Sequence, residues 1–173
     1  MSVEPETEGL TNYVVNLRSG NVIGKTMGSH FGDKPTYNAY SNDVAWSGEY
    51  FAQVCTGKWA TFDANVYQLN GDGAVVSNGT DLLVPAKKAA MDHLDGSDLF
   101  KKFDKEDFTI TLHDVRIVQH GFHQVIIVEV GGMIPKSEEE GSYFECTVIF
   151  KLASGENDGP PVLTLSGTEL HHE

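Results

Sequence analysis

Across residues 143–152 apolar and polar side chains alternate without a break: Phe144, Cys146, Val148, Phe150 and Leu152 share one parity, while Glu145, Thr147 and Lys151 share the other. A period of two places each set on one side of a pleated strand, so this stretch reads as a β-strand with one dry and one wet face. Its neighbours extend the pattern. Phe108, Ile110 and Leu112 share a parity that Val115 and Ile117 do not, and the slip at His113-Asp114 predicts a β-bulge that bends the strand. Residues 122–130 are apolar on both parities, as in a strand covered on both faces, and Gly131-Gly132 predicts a kink at its end. A last strand over 162–170 follows Gly159-Pro160-Pro161. The links between these four strands are too short for crossover helices, which predicts an antiparallel meander.

The first half reads differently. Ser41 or Asn42 can cap a helix in which Trp46, Tyr50 and Val54 recur every four positions, with Phe51 and Cys55 widening the stripe up to Gly57. Gly48 opposes it, since a mid-helix glycine costs about 1 kcal/mol relative to alanine. A second helical pattern, Trp59, Phe62 and Val66 with Tyr67 beside them, leads to the turn Asn70-Gly71-Asp72-Gly73. Residues 74–76 and 82–84 flank Asn78-Gly79, a hairpin signal. Pro85 then opens a third helix with Ala86, Ala90 and Leu94 on its dry face, Lys87, Lys88 and Asp92 on its wet one, and Gly96 as its stop. Leu99, Phe100 and Phe103 are expected to tuck beneath that helix. Helices followed by long antiparallel strands make an α+β fold, here a cone in which three N-terminal helices pack in a strongly bent antiparallel sheet. Residues 1–42, with glycines at 9, 20, 24, 28 and 32 and prolines at 5 and 35, read as an irregular extension before a domain spanning 43–173.

With 173 residues, 40% of them apolar, the chain can bury one core. It carries 25 acidic against 12 basic residues, a net charge of −13, and no basic cluster, which argues against direct binding of nucleic acid or of an anionic membrane surface. The apolar stretch at 125–130 falls far short of the roughly 20 residues that cross a bilayer, so no membrane span is expected. The acidic, polar first residues lack the pattern of a secretory signal, and an intracellular protein is expected. Cys55 and Cys146 each sit in patterned apolar segments and read as small buried hydrophobes rather than a disulfide framework.

Several local sequences, in order, resemble the nuclear transport factor 2-like superfamily. They are Tyr50-Phe51 in the first helical pattern, Tyr67 closing the second, Val75-Val76-Ser77-Asn78-Gly79, the run from Phe108 to Asp114, residues 125–131 followed by an acidic loop, and Tyr143-Phe144 opening a strand that ends Phe150-Lys151-Leu152. The resemblance covers roughly residues 43–170 and lies nearest to the nucleocytoplasmic transport branch. It implies a non-enzymatic scaffold of the nucleus, cytoplasm and nuclear envelope. Such a scaffold dimerises through its sheet with a larger messenger RNA export receptor subunit or with itself, binds phenylalanine-glycine repeats of nuclear pores, and can carry Ran-GDP. On this reading Glu138, Glu139 and Glu140 contact Ran, Trp46 and Trp59 border the repeat niches, and Tyr143, Ile149, Val162 and Thr164 form the dimer face.

The alternative is a small-molecule isomerase, cyclase or dehydratase with a polar pocket inside the cone. Tyr67, His113 and Asp114 are the groups for it, because an aspartate can take a carbon-bound proton while a phenol stabilises the oxyanion. In a regular strand, however, His113 and Asp114 would point to opposite faces. Residues 19–26 approach a phosphate-binding loop but fall one residue short of its spacing and precede Gly28, Gly32 and Pro35 rather than a helix, so they read as a turn. Neither His120 with His123 nor His171 with His172 has ligand spacing, and no metal or cofactor is expected. Glu138 to Glu140 also have a plainer reading as a solvated hairpin tip.

Overall fold

The computed structural model describes residues 12–26, 41–57, 60–70, 79–134, 143–156 and 159–172. Strand accounts for 61% of this and helix for 16%, so the expected α+β cone with three N-terminal helices is not the fold. The described residues form two four-stranded antiparallel sheets with a helix between them, and a two-stranded hairpin.

The first two expected helices are strands. Ser41–Ser47 (β3), Tyr50–Thr56 (β4), Thr61–Gln68 (β5) and the short Thr80–Asp81 (β6) pair in sequence order. The reason lies in β4, where Tyr50 to Cys55 are all buried, so its apolar run has no wet face to reveal its period. Trp46, Tyr50 and Val54 are four apart, a spacing that fits a helix face and a strand parity equally. Gly48 settles the matter: at φ 58° it forms the two-residue turn between β3 and β4, a conformation that L side chains rarely adopt. Trp46 pairs with Phe51 across that turn, so Trp46 faces outward and Tyr50 inward.

The first strand and the Asn78 of the expected hairpin lie outside the described residues, 71–78; its second strand, expected over 82–84, is not one, and the short β6 before it pairs with β5, Asn65 opposite Asp81 and Val66 opposite Thr80. Leu83 and Val84 belong to helix α1, Leu83–His93, because the Asp81 carboxylate accepts hydrogen bonds from both their amides at 2.9 and 3.4 Å. Pro85 falls in the first turn, where an N–H would have no helical partner. As the pattern predicts, Ala86, Ala90 and Leu94 are buried, Lys87, Lys88 and Asp92 are exposed, and Gly96 follows at φ 82°. A short helix α2, Asp98–Lys102, then sets Phe100 and Phe103 edge-on against Phe108 at 5.6 and 6.2 Å.

The second half follows its reading. Thr109–His120 (β7), His123–Met133 (β8), Tyr143–Ala153 (β9) and Val162–His172 (β10) form an antiparallel meander in sequence order. The register slips between Leu112 and Asp114, so the bulge lies where the parity changes. Helix α1 is enclosed by β5 of one sheet and β8, β9 and β10 of the other. Its alanines meet Ala52, Val66, Ile126, Val128, Val148 and Phe150 in one apolar core. Hydrogen bonds stitch the halves: Leu112 N–H donates to Thr61 Oγ1 at 2.8 Å, the Thr80 hydroxyl donates to the Pro161 carbonyl, Gln68 Nε2 donates to Ser154 Oγ at 2.7 Å, and the Tyr50 hydroxyl meets the same Ser154 Oγ at 3.0 Å.

The segment expected to be irregular contains a hairpin, Asn12–Val15 (β1) with Val22–Thr26 (β2). The loop-like residues 19–26 are its turn and second strand, with Gly20 at φ 73°. The expected boundary after residue 42 falls inside β3. Among the described residues, no helix is long and apolar enough to cross a membrane.

Candidate functional site on the outward face of the second sheet

The outward face of β7–β10 brings ionisable side chains together through two bulges. On β7 the unpaired residue is His113; on β10 the register slips at two places, and His171 is the extra residue at the second. A bulge redirects a side chain that regular pleating would send elsewhere. The His113 ring lies over Gly131 of β8, with Nε2 2.2 Å from where a β-carbon would stand. His171, on the opposite edge strand, reaches the hydroxyl of Thr147 on β9. Both edge strands thus contribute an imidazole to the face of the central pair.

Between them runs a row set by register, in which Asp114 lies opposite Glu129, Glu129 opposite Thr147, and Thr147 opposite Glu169. Arg116 Nε forms an ion pair with Asp114 Oδ2 at 2.9 Å, and its Nη2 donates to Glu129 Oε1 at 3.2 Å. The Thr147 hydroxyl donates to Glu129 Oε2 at 2.8 Å, which leaves its oxygen to accept from His171 Nε2. A continuous polar chain therefore crosses all four strands. A depression of about 260 Å³ opens beside it, lined by His113, Asp114, Glu129, Val130, Glu145 and His171. Arg116 is paired with two of the three carboxylates there, one guanidinium against three carboxylates. Beneath it, on the core side of β9, burial and the nearby Glu129 charge push the Cys146 thiol up to about 12.

His113 and Asp114 are therefore neighbours on one face, because the bulge abolishes the opposition that a regular strand would impose. Tyr67 does not join them. It is buried on the far side of the first sheet, stacked on Phe51 at 4.9 Å and 15°, and Phe51 stacks in turn on Trp46 at 4.9 Å and 8°. The three groups expected to converge inside a cone do not share a pocket: α1 and apolar side chains pack between the sheets, and His113 and Asp114 line, with Asp43, an opening of about 360 Å³ where β3 and β4 meet β7, which Tyr67 does not reach. Trp46 is half exposed and walls a crevice of about 320 Å³ under the β1–β2 hairpin, with Tyr13, Val15, Phe51 and Gln53. Tyr143, Ile149, Val162 and Thr164 all face outward on β9 and β10, as their parity predicts. Trp59, Glu138, Glu139 and Glu140 lie outside the described residues.

Sequence does not single out Arg116 or Glu129, marks Glu145 and Thr147 only as outward residues of one strand, and weighs His171 only in a pair without ligand spacing. Each carries the outward parity of its strand or sits at a bulge, but which outward residues meet depends on inter-strand register. Among the described residues, no three His, Cys, Asp or Glu side chains are placed to hold a metal ion. A separate acidic group, Asp63 on β5, accepts a hydrogen bond from Asn65 at 2.7 Å; burial raises its pKa above the ordinary carboxylate value, against the lowering by Asn65, with Asp81 adding to the rise.

No protein-family model, curated protein or solved structure matches the chain.

Proposed function

We propose that the chain is a non-enzymatic binding module that meets a protein partner on the outward face of β7–β10. One observation carries this reading. Val118, Met133, Tyr143 and Val162 are exposed there and Ile127 and Ile149 half-buried, around a polar chain whose charges are already paired. Aliphatic and aromatic side chains beside a satisfied polar row have the make-up of a protein-docking surface. A small-molecule isomerase, cyclase or dehydratase has less support, since Tyr67 stands apart from His113 and Asp114.

The identity of the partner comes from the resemblance. Nucleocytoplasmic transport, with Ran-GDP, pore repeats or an export receptor subunit as partners, was implied by a family whose helical layer is made of strands here. What favours it is the outward dimer-face residues and the open crevice at Trp46. Sedimentation velocity of the whole chain, alone and with Ran-GDP or the large export receptor subunit, tests both levels. The expected result is a dimer or a mixed complex that dissociates when Ile149→Asp and Val162→Asp are combined. A monomer that joins none of these, or a complex indifferent to the double substitution, overturns the reading.

A further inference from the structure

We infer that the crevice between the β1–β2 hairpin and the first sheet is a binding site for a small, uncharged aromatic molecule bearing an N–H or O–H group, with Thr26 as its polar anchor. The site stands apart from the docking face of β7–β10. Its floor is two cross-strand pairs on the outward face of the first sheet, Val44 opposite Gln53 and Trp46 opposite Phe51. Its roof is the hairpin. Asn12 lies opposite Thr26 and Val14 opposite Gly24, so Val14 and Thr26 share one face of that ladder, and both line the crevice.

Thr26 is only 8% exposed, yet its hydroxyl has no hydrogen-bond partner among the described residues. The other buried polar side chains there differ: Thr61, Asn65 and Thr147 make hydrogen bonds, and Gln53 is engaged as well. Nor is the hydroxyl sealed in, since the one fully enclosed, unpartnered side-chain atom among the described residues is Gln124 Oε1. What remains open of Thr26 therefore faces the crevice it lines. A buried hydroxyl without a partner is costly, and a ligand that supplies one recovers that loss.

The walls select the rest of the ligand. None of the lining residues is an acid, a lysine, an arginine or a histidine, so nothing there balances an ion. Trp46 and Phe51 are held parallel at 4.9 Å and 8°, and two rings fixed in advance favour a third in offset or edge-to-face contact. The volume, about 320 Å³, lies at the lower end of the roughly 300–1,000 Å³ of small-molecule sites. A crevice roofed by a hairpin admits a free molecule more readily than a ring carried on a partner's backbone.

The test is a titration of the isotope-labelled whole chain with indole, followed by its amide and side-chain resonances, with 1-methylindole as the ligand that lacks the donor. Saturable shifts are expected at Val14, Thr26, Trp46 and Gln53 as the indole N–H donates to Thr26 Oγ1. Thr26→Val should weaken indole roughly three-fold or more, the scale of one hydrogen bond, and leave 1-methylindole unchanged. Thr26→Ser, which keeps the hydroxyl, should bind indole like the parent chain. N-acetyltryptophan amide, the same ring on a peptide backbone, should bind more weakly than indole. No saturation, shifts confined to other surfaces, or an equal effect of Thr26→Val on both indoles overturns the assignment. N-acetyltryptophan amide bound as tightly as indole makes the occupant a partner's side chain and overturns the free molecule.

Discussion

The ring of His113 rests on the backbone of Gly131, its Nε2 only 2.2 Å from the place a β-carbon would occupy. Because His113 is exposed, Gly131→Ala should swing the ring away and leave the sheet intact, changing stability by no more than about 1 kcal/mol. Gly132→Ala is the contrasting control: there the obstacle is the fully buried Phe144 ring at 2.1 Å, and overpacking should cost about 1–3 kcal/mol. Urea melts give the two stabilities, and His113 ring proton shifts report the displacement. A larger loss at residue 131 than at 132 would contradict this ordering.

Thr61→Val keeps the side-chain shape and removes the acceptor that Leu112 N–H uses at 2.8 Å, together with the hydroxyl contact to Thr56 at 2.9 Å. A buried donor left without a partner costs about 1–3 kcal/mol. Equilibrium unfolding should show that loss, with faster amide exchange at Leu112. An unchanged midpoint would mean that the amide finds another acceptor.

Asp63 has a folded pKa raised chiefly by burial. A raised carboxylate favours the protonated folded state, so its contribution is fully present below the unfolded pKa and is lost as pH rises through the folded one. Asp63→Asn, which can still accept from Asn65, should therefore stabilise the chain at pH 7, and the gain should vanish below the ordinary carboxylate range. Thermal melts at pH 7 and pH 3.5 separate the two; an equal effect at both would refute the sign.

Cys146 is fully buried with its thiol pushed up to about 12, and Cys55 is buried as well. Only thiolate that reaches solvent reacts with disulfide reagents. Neither cysteine should react with Ellman's reagent at pH 8 in the folded chain, and labelling should proceed at the unfolding rate when denaturant is added. Rapid reaction of one thiol in native buffer would place it at the surface.

How far the fold can be read depends on whether a strand has a wet face. β9 alternates cleanly, and β7 changes parity at its bulge, so the second sheet and the place of His113 follow from spacing. Strand β4, buried on both sides, offers no alternation, and its spacing of four imitates a helix; only the glycine at 48 marks the turn. The candidate site divides the same way. His113 and Asp114 announce themselves at the parity slip. Glu129, Thr147 and His171 become neighbours only through the register of three hairpins and a second bulge, which no local spacing encodes.

The two meanders lie one after the other along the chain, with α1 between them, and this sets an order of events during synthesis. Among the described residues, β3 to β6 form ladders only with one another, so the first sheet can close once Asp81 has left the ribosome. Its inner surface, Tyr50, Ala52, Val54, Ala64 and Val66, finds cover only when the helix and then the second sheet, starting with β7, arrive. For as long as the second half takes to emerge, the nascent chain holds a finished but uncovered apolar wall, the state in which a chaperone would have most to grip.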